Sequence, residues 1–194
     1  MNVRGGLKSF ARGLATLAVL PALASFYLRA PLIGRNRALL ASTQALGLLP
    51  GLPGQYLRRA FLARVLAHCA PTASVEWGTL FSDAETYIDE YVYIGPNCHI
   101  GLAHIERDVL IAPCVHIPSG RHTHGTDDPG VPLRNQSGVR QCIRIGANAW
   151  IGSAAVVMAD VGARTIVGAG AVVTKPLPER VVAAGIPARV VRAR

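Results

Sequence analysis

Two histidines separated by one residue lie in a polar stretch of the chain that reads S-G-R-H-T-H-G from position 119. An imidazole has a pKa near 6.5, so near neutral pH it can take a proton from a weak nucleophile such as a hydroxyl group. General base catalysis of this kind accelerates reactions about 10²–10⁴-fold. His122 and His124 are therefore candidate catalytic residues. The alternative interpretation is that they are solvated loop histidines, with Asp127 and Asp128 as ordinary turn residues.

A six-residue period in the aliphatic residues flanks this stretch, and glycine or alanine commonly follows the repeated residue. Such a period indicates a parallel β-helix, in which each repeat supplies a short strand with one inward aliphatic side chain and a tight turn. At three repeats per coil, the pattern predicts about four coils, roughly 20 Å tall at ~4.8 Å per coil. Cys98 stands at a small-residue position of a repeat, which favours packing over a role as nucleophile. The repeated positions are Ile88, Ile94, Ile100, Ile105, Ile111, Ile117, Ile145, Ile151, Val157, Val161, Val167 and Val173.

The period is interrupted between Pro118 and Cys142. An excursion of this length inside a compact domain usually has a function, so we predict a protruding loop over 118–142 that carries both histidines. A solenoid this short has two exposed ends and a small core, so we also expect capping of its ends and oligomerisation.

Residues 75–194 resemble the hexapeptide-repeat acyltransferases, and three segments carry most of the resemblance. These segments are IGANAWIGS from Ile145, VGAGAVVTK from Val167 and AGIPARVVR from Ala184. They look like the C-terminal half of bacterial sugar O-acetyltransferases such as the galactoside and maltose enzymes. The resemblance implies a mainly β fold, a left-handed parallel β-helix. It also implies acetyl transfer from acetyl-CoA to a saccharide hydroxyl, no metal, and a homotrimer with its active sites between subunits.

The same resemblance implies roles for single residues. In the family the loop leaves the coil at this point and carries the catalytic histidine, which matches His122. His124 is the second candidate, or a residue that orients the first, since many polysaccharide acetyltransferases carry H-x-H-G here. Coenzyme A is expected to lie along a groove between subunits. Its phosphates could pair with the lysine and the two arginines among the contact positions given next, although these arginines could also be a solvated basic tail. The matched contact positions are Ser153, Ala169, Thr174, Lys175, Arg189 and Arg192.

The formal charge of +9 comes entirely from the first 75 residues. This segment holds nine basic residues and no acidic one, whereas the rest of the chain holds eleven of each. Because the segment is also strongly apolar, it favours a membrane surface over nucleic acid, whose basic arms are polar. We therefore expect an anionic membrane surface as a partner and no nucleic acid.

The charge-free run from Gly13 to Leu28 is 16 residues long and contains Pro21. At ~1.5 Å per residue a helix over this run reaches about 24 Å, short of the ~30 Å hydrocarbon core. A re-entrant or in-plane segment fits this length better than a span. Arg4 and Lys8 before an apolar run also resemble a signal peptide, and plain burial against the main domain is a third interpretation.

A helix is predicted over Tyr56 to Ala70 from an apolar stripe with four-residue spacing. Arg58, Arg59 and Arg64 fall away from much of that stripe, so the helix is predicted to lie on anionic lipid, or to cap the open end of the next domain.

The chain is thus divided into a helical, membrane-associated region over 1–70 and a β-helix acyltransferase domain over 71–194. We expect a location at the cytoplasmic face of the inner membrane of a bacterium. The acceptor is expected to be a membrane-held or lipid-linked glycan of surface polysaccharide biosynthesis.

Two other functions remain open at this point. His99 and His104 are five residues apart, as are two zinc ligands of γ-type carbonic anhydrases, and His116 and His122 follow. A catalytically silent β-helix that scaffolds a membrane complex is the other possibility. The four cysteines form no C-x-x-C pair, which argues against a zinc ribbon or a disulfide scaffold.

Overall fold

The computed structural model describes residues 3–194; Met1 and Asn2 of the predicted domain 1–70 lie outside the described residues. Four helices come first and a solenoid of short strands follows. The helices are α1 (Val3–Ala18), α2 (Leu20–Ile33), α3 (Arg35–Gly47) and α4 (Gly51–Val65).

The strands of the solenoid are two to five residues long, and the residues 3–194 contain sixteen of them. One turn of 3₁₀ helix, Leu133–Asn135, lies within the loop that interrupts the repeat. The strands are β1 (His68–Cys69), β2 (Ser74–Val75), β3 (Leu80–Phe81), β4 (Tyr87–Ile88), β5 (Tyr93–Ile94), β6 (His99–Ile100), β7 (Ala103–Ile105), β8 (Leu110–Ile111), β9 (His116–Ile117), β10 (Ile143–Ile145), β11 (Trp150–Ile151), β12 (Val156–Val157), β13 (Ile166–Val167), β14 (Val172–Val173), β15 (Val181–Ala184) and β16 (Arg189–Ala193).

Successive strands fall on three different faces, and each face is one parallel sheet. The first face has the order β1-β4-β7-β10, the second β2-β5-β8-β11-β13-β15, and the third β3-β6-β9-β12-β14. Isolated bridges at Val161 and Leu177 continue the first face, and β16 pairs antiparallel with β15 at its C-terminal end. This arrangement confirms the predicted parallel β-helix.

The solenoid has about six turns, so the predicted count of about four was wrong. Two coils were missed, and the last of the six contains Leu177 and Ala183. The first coil was missed although its inward residues, Cys69, Val75 and Phe81, also lie six apart. They differ in type, and a seven-residue step separates Phe81 from Ile88, so the period does not stand out there. The domain boundary predicted at 70/71 accordingly falls just inside this coil, which starts at His68.

The core is a stack of inward side chains, one from each strand. Ile94, Ile111 and Ile151 lie in register on the second face and are fully buried. Burial of each such side chain stabilises the fold by about 1.5–3 kcal/mol. Glycines follow many of them because adjacent coils approach closely: a Cβ at Gly152 would lie 2.5 Å from the backbone nitrogen of Ala169.

The helical region covers the open end of the first coil. α4 packs on β1 and β2, and α3 packs on β3, with Leu39, Phe61 and Leu62 buried between them. α4 ends at Val65, five residues before the end predicted at Ala70. Of the two interpretations of this helix, capping of the β-helix is the one that the structure bears out.

Two of the three arginines that were predicted to lie away from the apolar stripe of this helix are buried. Arg58 and Arg59 are 2% and 9% exposed, whereas Arg64 lies at the surface. Arg58 donates hydrogen bonds to the carbonyl oxygens of Leu46 (3.2 Å), Leu49 (2.5 Å) and Val75 (3.0 Å). It thereby satisfies carbonyl groups at the C-terminal end of α3 and joins them to β2.

No single described helix has both the length and the hydropathy of a membrane span. Ser9–Ala18 of α1 and Leu20–Ile33 of α2 pass that test only as a pair, with a bend of 48° between them. One side of this pair, with Val19, Leu23 and Phe26, is buried against the protein. The opposite side is exposed and apolar, and comprises Phe10, Leu14, Leu17, Leu20, Leu28 and Leu32.

The inward stack predicts a clear contrast between neighbouring residues of β8. Ile111→Ala is expected to lower the free energy of unfolding by about 2–5 kcal/mol, because it leaves a cavity between Ile94 and Ile151. Leu110→Ala removes a half-exposed side chain from the same strand and is expected to cost less, because it leaves no cavity in the inward stack. Chemical denaturation at one fixed protein concentration measures both values. Equal losses for the two variants would contradict the assignment of the inward face.

Candidate active site

The segment 118–142 leaves the solenoid after β9 and returns at β10, as predicted. Its two limbs lie side by side: the Val139 amide donates to the His122 carbonyl (2.7 Å) and the Gln141 amide donates to the Ser119 carbonyl (2.8 Å). A Cβ on Gly138 would overlap the carbonyl group of Thr123, so only glycine fits at this crossing. The histidine-bearing limb therefore has a defined backbone path.

The tip of the loop is closed by one side-chain amide. Gln136 donates from Nε2 to the carbonyl oxygens of Asp128 (2.7 Å) and Val131 (2.8 Å), and its Oε1 accepts from the Asp128 amide (3.2 Å). The Asp128 carboxylate in turn accepts from the amide of Gly130 (2.8 Å). Asp128 thus acts as a turn residue, which was the alternative interpretation of this aspartate.

Three contacts attach the base of the loop to the solenoid. The buried hydroxyl of Ser119 accepts from the Leu102 amide (2.8 Å). Arg140 forms an ion pair with Asp83, whose carboxylate is buried next to the first coil. Arg121 donates to the carbonyl oxygen of Thr174 (3.3 Å), beyond β14. The loop is therefore held at coils on both sides of its origin.

His122 and His124 both have exposed side chains on the outgoing limb. Neither imidazole forms a hydrogen bond or ion pair with another residue in the described part of the chain, 3–194. Both rings are thus open to a substrate. His122 is next to Arg121, which reaches one of the predicted coenzyme A positions, Thr174.

The six predicted coenzyme A positions fall at three places on the solenoid. Ser153 and Ala169 follow β11 and β13 and are stacked on adjacent coils, with the Gly170 amide donating to the Ser153 carbonyl (2.8 Å). Thr174 and Lys175 follow β14 at the end of the third face. The remaining pair, Arg189 and Arg192, lies on β16, and each guanidinium donates only to a neighbouring carbonyl oxygen. The three basic side chains form no ion pair within the described residues.

The histidines that were considered as zinc ligands do not come together. His99 and His116 stack on the third face at 4.9 Å between ring centroids, whereas His104 lies on the first face beside Tyr87. The pKa of His99 is lowered by burial and then by the neighbouring His116, which favours the neutral form of the His99 imidazole. In residues 3–194 no group of three or more histidines, cysteines and carboxylates is placed to hold a metal ion. The carbonic-anhydrase interpretation therefore has no support in the structure.

The buried thiols do not provide a nucleophile either. Burial raises the pKa of Cys98 to about 11 and that of Cys69 to about 12. Both thiols stay protonated near neutral pH, and a protonated thiol is a poor nucleophile. Cys98 is 1% exposed and packs in the interior, as predicted from its position in the repeat.

The residues that anchor the loop were not found from the sequence. Arg140 and Asp83 are 57 positions apart, and Arg121 and Thr174 are 53 apart. No motif connects the members of either pair. The nearest signal is the seven-residue step after Phe81, which places Asp83 at an irregular corner of the solenoid.

Comparison with known proteins agrees with this geometry, although no family model matches the chain. Galactoside O-acetyltransferase of Escherichia coli K12 is 31% identical over 169 residues, which cover 73% of this chain and 80% of that protein. The putative lipopolysaccharide biosynthesis O-acetyl transferase WbbJ of the same organism is 30% identical over 124 residues, covering 59% of this chain and 61% of WbbJ.

Solved structures with a similar fold include two sugar acetyltransferases. A galactoside acetyltransferase in complex with coenzyme A has a TM-score of 0.60 and 26% identity, covering 82% of this chain and 78% of that one. The maltose O-acetyltransferase from Clostridium difficile 630 has a TM-score of 0.68 and 20% identity, covering 90% and 88%. The six-residue solenoid and its histidine-bearing loop define the class, the left-handed β-helix acyltransferases. The chain belongs to the hexapeptide-repeat acyltransferase family.

The tight crossing of the loop limbs generates a prediction. Gly138→Ala is expected to raise the rate of tryptic cleavage within 118–142 more than tenfold. The added Cβ strains the crossing and favours loops whose limbs have separated, which trypsin cleaves, and about 1.4 kcal/mol of strain raises the population of such open loops tenfold. Gly130→Ala is the matched control, since its Cβ would meet only the flexible Asp128 side chain at 3.2 Å. Limited proteolysis followed by mass spectrometry measures both. Identical cleavage of the two variants would show that the crossing does not order the loop.

Proposed function

We propose that this acyltransferase moves an acetyl group from acetyl-CoA to a hydroxyl group of a saccharide, with His122 as the general base. The observation that carries the proposal is the position of His122. Its exposed imidazole stands on a limb whose neighbour, Arg121, donates to Thr174, a predicted contact of the donor. The relative with 31% identity, named a galactoside O-acetyltransferase, supports the same reaction class.

The reaction needs one proton acceptor and no covalent enzyme intermediate. An imidazole nitrogen of His122 takes the proton of the acceptor hydroxyl while the oxygen attacks the thioester carbonyl carbon. The carbon–sulfur bond then breaks, the ester forms, and the leaving thiolate of coenzyme A accepts the proton from the imidazolium. Backbone N–H groups of the coil could stabilise the oxyanion that forms in between. His124 is proposed as the residue that orients His122, or as the second candidate for the base.

The donor is proposed to lie along Ser153 and Ala169 with its phosphates near basic side chains. A pantetheine chain presents mostly amide groups and fits a groove lined by backbone and small residues. Lys175, Arg189 and Arg192 have no carboxylate partner in residues 3–194, so their charges are free to pair with phosphate groups. This is the physical argument for coenzyme A as the donor, and a coenzyme A complex of a structural relative supports it.

A homotrimer is proposed as the active assembly. On the second face, Leu110 and Trp150 are adjacent in register and about half exposed, which leaves an apolar strip on the side of the solenoid. A second copy of the chain packed on this side would bury the strip. An interfacial active site, which the family resemblance implies, would then use residues of two subunits.

The helical region is proposed to lie on the anionic, cytoplasmic face of a bacterial inner membrane. The exposed apolar side of α1 and α2 gives it a surface that enters lipid, and the basic residues of the segment, with no acidic residue before Glu76, favour anionic headgroups. In this position the enzyme would act on a membrane-held or lipid-linked glycan of surface polysaccharide biosynthesis. The name of WbbJ, a lipopolysaccharide biosynthesis enzyme, supports that class of acceptor.

The base assignment is tested with labelled acetyl-CoA and membrane extract from a bacterium that makes surface polysaccharide. His122→Ala is expected to lower the rate of transfer by about 10²–10⁴-fold while coenzyme A binding is unchanged. His124→Ala is expected to lower the rate less if it orients His122. Separation of lipids from soluble sugars then identifies the acceptor.

Each outcome of this assay has one meaning. Label in lipid-linked glycan supports the membrane-held acceptor, and label in soluble sugars alone contradicts it while keeping the enzyme. Equal transfer by His122→Ala and wild type would remove His122 as the base. Absence of both transfer and coenzyme A binding would favour the scaffold.

Membrane attachment is tested by flotation with vesicles that contain phosphatidylglycerol. Leu28→Gln combined with Leu32→Gln is expected to weaken binding by about a hundredfold or more, since each exposed leucine that enters lipid contributes about 1.5–3 kcal/mol. Leu133→Gln, which changes an exposed leucine of the loop, is the control and is expected to bind as wild type does. Unchanged flotation of the double variant would contradict the in-plane arrangement.

A further inference from the structure

A cavity of about 170 Å³ lies between the helical region and the first coil, apart from the loop that carries the histidines. It is several times larger than the ~30 Å³ that a water molecule occupies in the liquid. Leu52, which is exposed, stands at its rim. The polar side chains that line it are Arg12 of α1, Gln55, Tyr56 and Arg59 of α4, and Thr72 and Ser74 of the first coil.

Arg59 is buried without the partners that a buried cation normally has. It is 9% exposed, yet its guanidinium makes no hydrogen bond or ion pair to any residue of the described range 3–194; its one contact of note is with the Tyr56 ring, 5.7 Å from the ring centroid. Arg58, the preceding residue, donates from Nε and Nη1 to three carbonyl oxygens, and its Nη2 is buried without a partner. The Arg59 nitrogens, by contrast, lack protein partners without being sealed from the cavity, so they are available to a ligand of opposite charge.

The charges around the cavity have one sign. The pKa of Arg59 is lowered by burial and then by the positive charge of Arg12, which also lines the cavity. No acidic residue occurs before Glu76 in the sequence. The carboxylate of Glu76 accepts a hydrogen bond from Gln55 (2.5 Å), and its field acts on Arg58. The cavity therefore has two positive charges that no carboxylate balances.

The other polar groups of the lining include hydroxyl donors. The Thr72 hydroxyl oxygen accepts from the Tyr91 amide (2.9 Å), so its hydrogen remains available to donate. Ser74 and Tyr56 add two more hydroxyl groups. Guanidinium forks and hydroxyl donors around a small cavity match the oxygens of a tetrahedral oxyanion, and a dianionic phosphate monoester balances two arginines.

We propose that this cavity is a binding site for the phosphate group of a phosphate monoester. The ester is either a small soluble molecule or the headgroup of a lipid, and the same arginines and hydroxyls serve both. The cavity borders the first coil, whereas the loop leaves after the third, so the two sites are separated by two coils, ~10 Å along the axis. The proposal does not depend on acetyl transfer.

The test uses the full chain and three single-charge variants. Arg59→Gln and Arg12→Gln remove the two cations of the cavity. Arg37→Gln is the control: it removes one positive charge, as the other two variants do, but from an exposed residue of α3 that does not line the cavity. Glycerol 3-phosphate is titrated calorimetrically as the soluble probe. Vesicles of phosphatidylcholine with phosphatidic acid are the lipid probe, and vesicles of equal charge with phosphatidylglycerol, a diester, are their control.

Wild type and Arg37→Gln are expected to bind the same probe, and Arg59→Gln and Arg12→Gln to bind it at least tenfold more weakly, since each loses a charge-assisted hydrogen bond. Arginine-dependent binding of glycerol 3-phosphate supports the site with a soluble ligand. Arginine-dependent binding of phosphatidic acid vesicles alone supports it with a lipid ligand. Equal binding by all three variants, or no preference for the monoester, would show only a cationic surface and overturn the proposal, as would the absence of binding by wild type.

A second measurement separates a binding residue from a structural one. In phosphate-free buffer, Arg59→Met is expected to unfold at the same temperature as wild type or a higher one, because it removes an unpaired buried charge. Glycerol 3-phosphate is expected to raise the unfolding temperature of wild type and not that of the variant, if the ligand is soluble. A markedly less stable variant would mean that Arg59 supports the fold. Acetylation of a soluble sugar by Arg59→Gln at the wild-type rate separates this proposal from the proposed function.

Discussion

The stacking of each coil on the next by backbone hydrogen bonds is the constraint on which the rest of the structure depends. Strands one coil apart lie at the spacing of a parallel sheet, so the residue that follows the inward aliphatic is often small, and a Cβ at Gly152 would lie only 2.5 Å from the backbone nitrogen of Ala169. The same pairing explains how the loop can exist. β7 pairs with β10 and β9 with β12 across the insertion, so the coils close on each other and the 118–142 segment is excluded to the outside. A long loop can therefore be added between two coils without disturbing the core.

A stack of coils has an open end, and the helical region is built to cover the end formed by the first coil. The first coil has no coil beneath it, and its amides at Phe81 and Ala84 instead donate to side-chain oxygens of α3, those of Thr43 (3.3 Å) and Asn36 (3.0 Å). Arg58 of α4 completes the contact, because its guanidinium joins the end of α3, the segment that follows α3 and β2. Positive charge in this region thus has a structural use that is independent of any membrane. The exposed leucines of α1 and α2 have no such use within residues 3–194.

The parts of the fold that could be predicted from the sequence are those in which a local pattern of residues determines the local structure. The periods over 88–117 and 145–173 are local patterns, and the break at 118–142 is visible against them. The first coil was missed because Cys69, Val75 and Phe81 share spacing but not residue type. The contacts that position the loop join residues more than 50 positions apart, and a single sequence does not show which distant residues are in contact. The candidate histidines were accessible to sequence reasoning, whereas the anchors that orient their limb were not.

Arg58 and Arg59 show why residue type and helical position do not decide a role. They are neighbours on α4, carry the same charge and are both buried, and the sequence predicted one surface for both. Arg58 donates to three carbonyl oxygens, although its Nη2 is buried without a partner. Arg59 lies beside the Tyr56 ring and lines a cavity that Arg12 also lines, and its guanidinium has no hydrogen-bond partner within the described residues. Burying a charge costs several kcal/mol unless a partner offsets it. In the arrangement around Arg59 this partner is either water or an anion that enters the cavity, and an anion would use the hydroxyl donors of the lining as well.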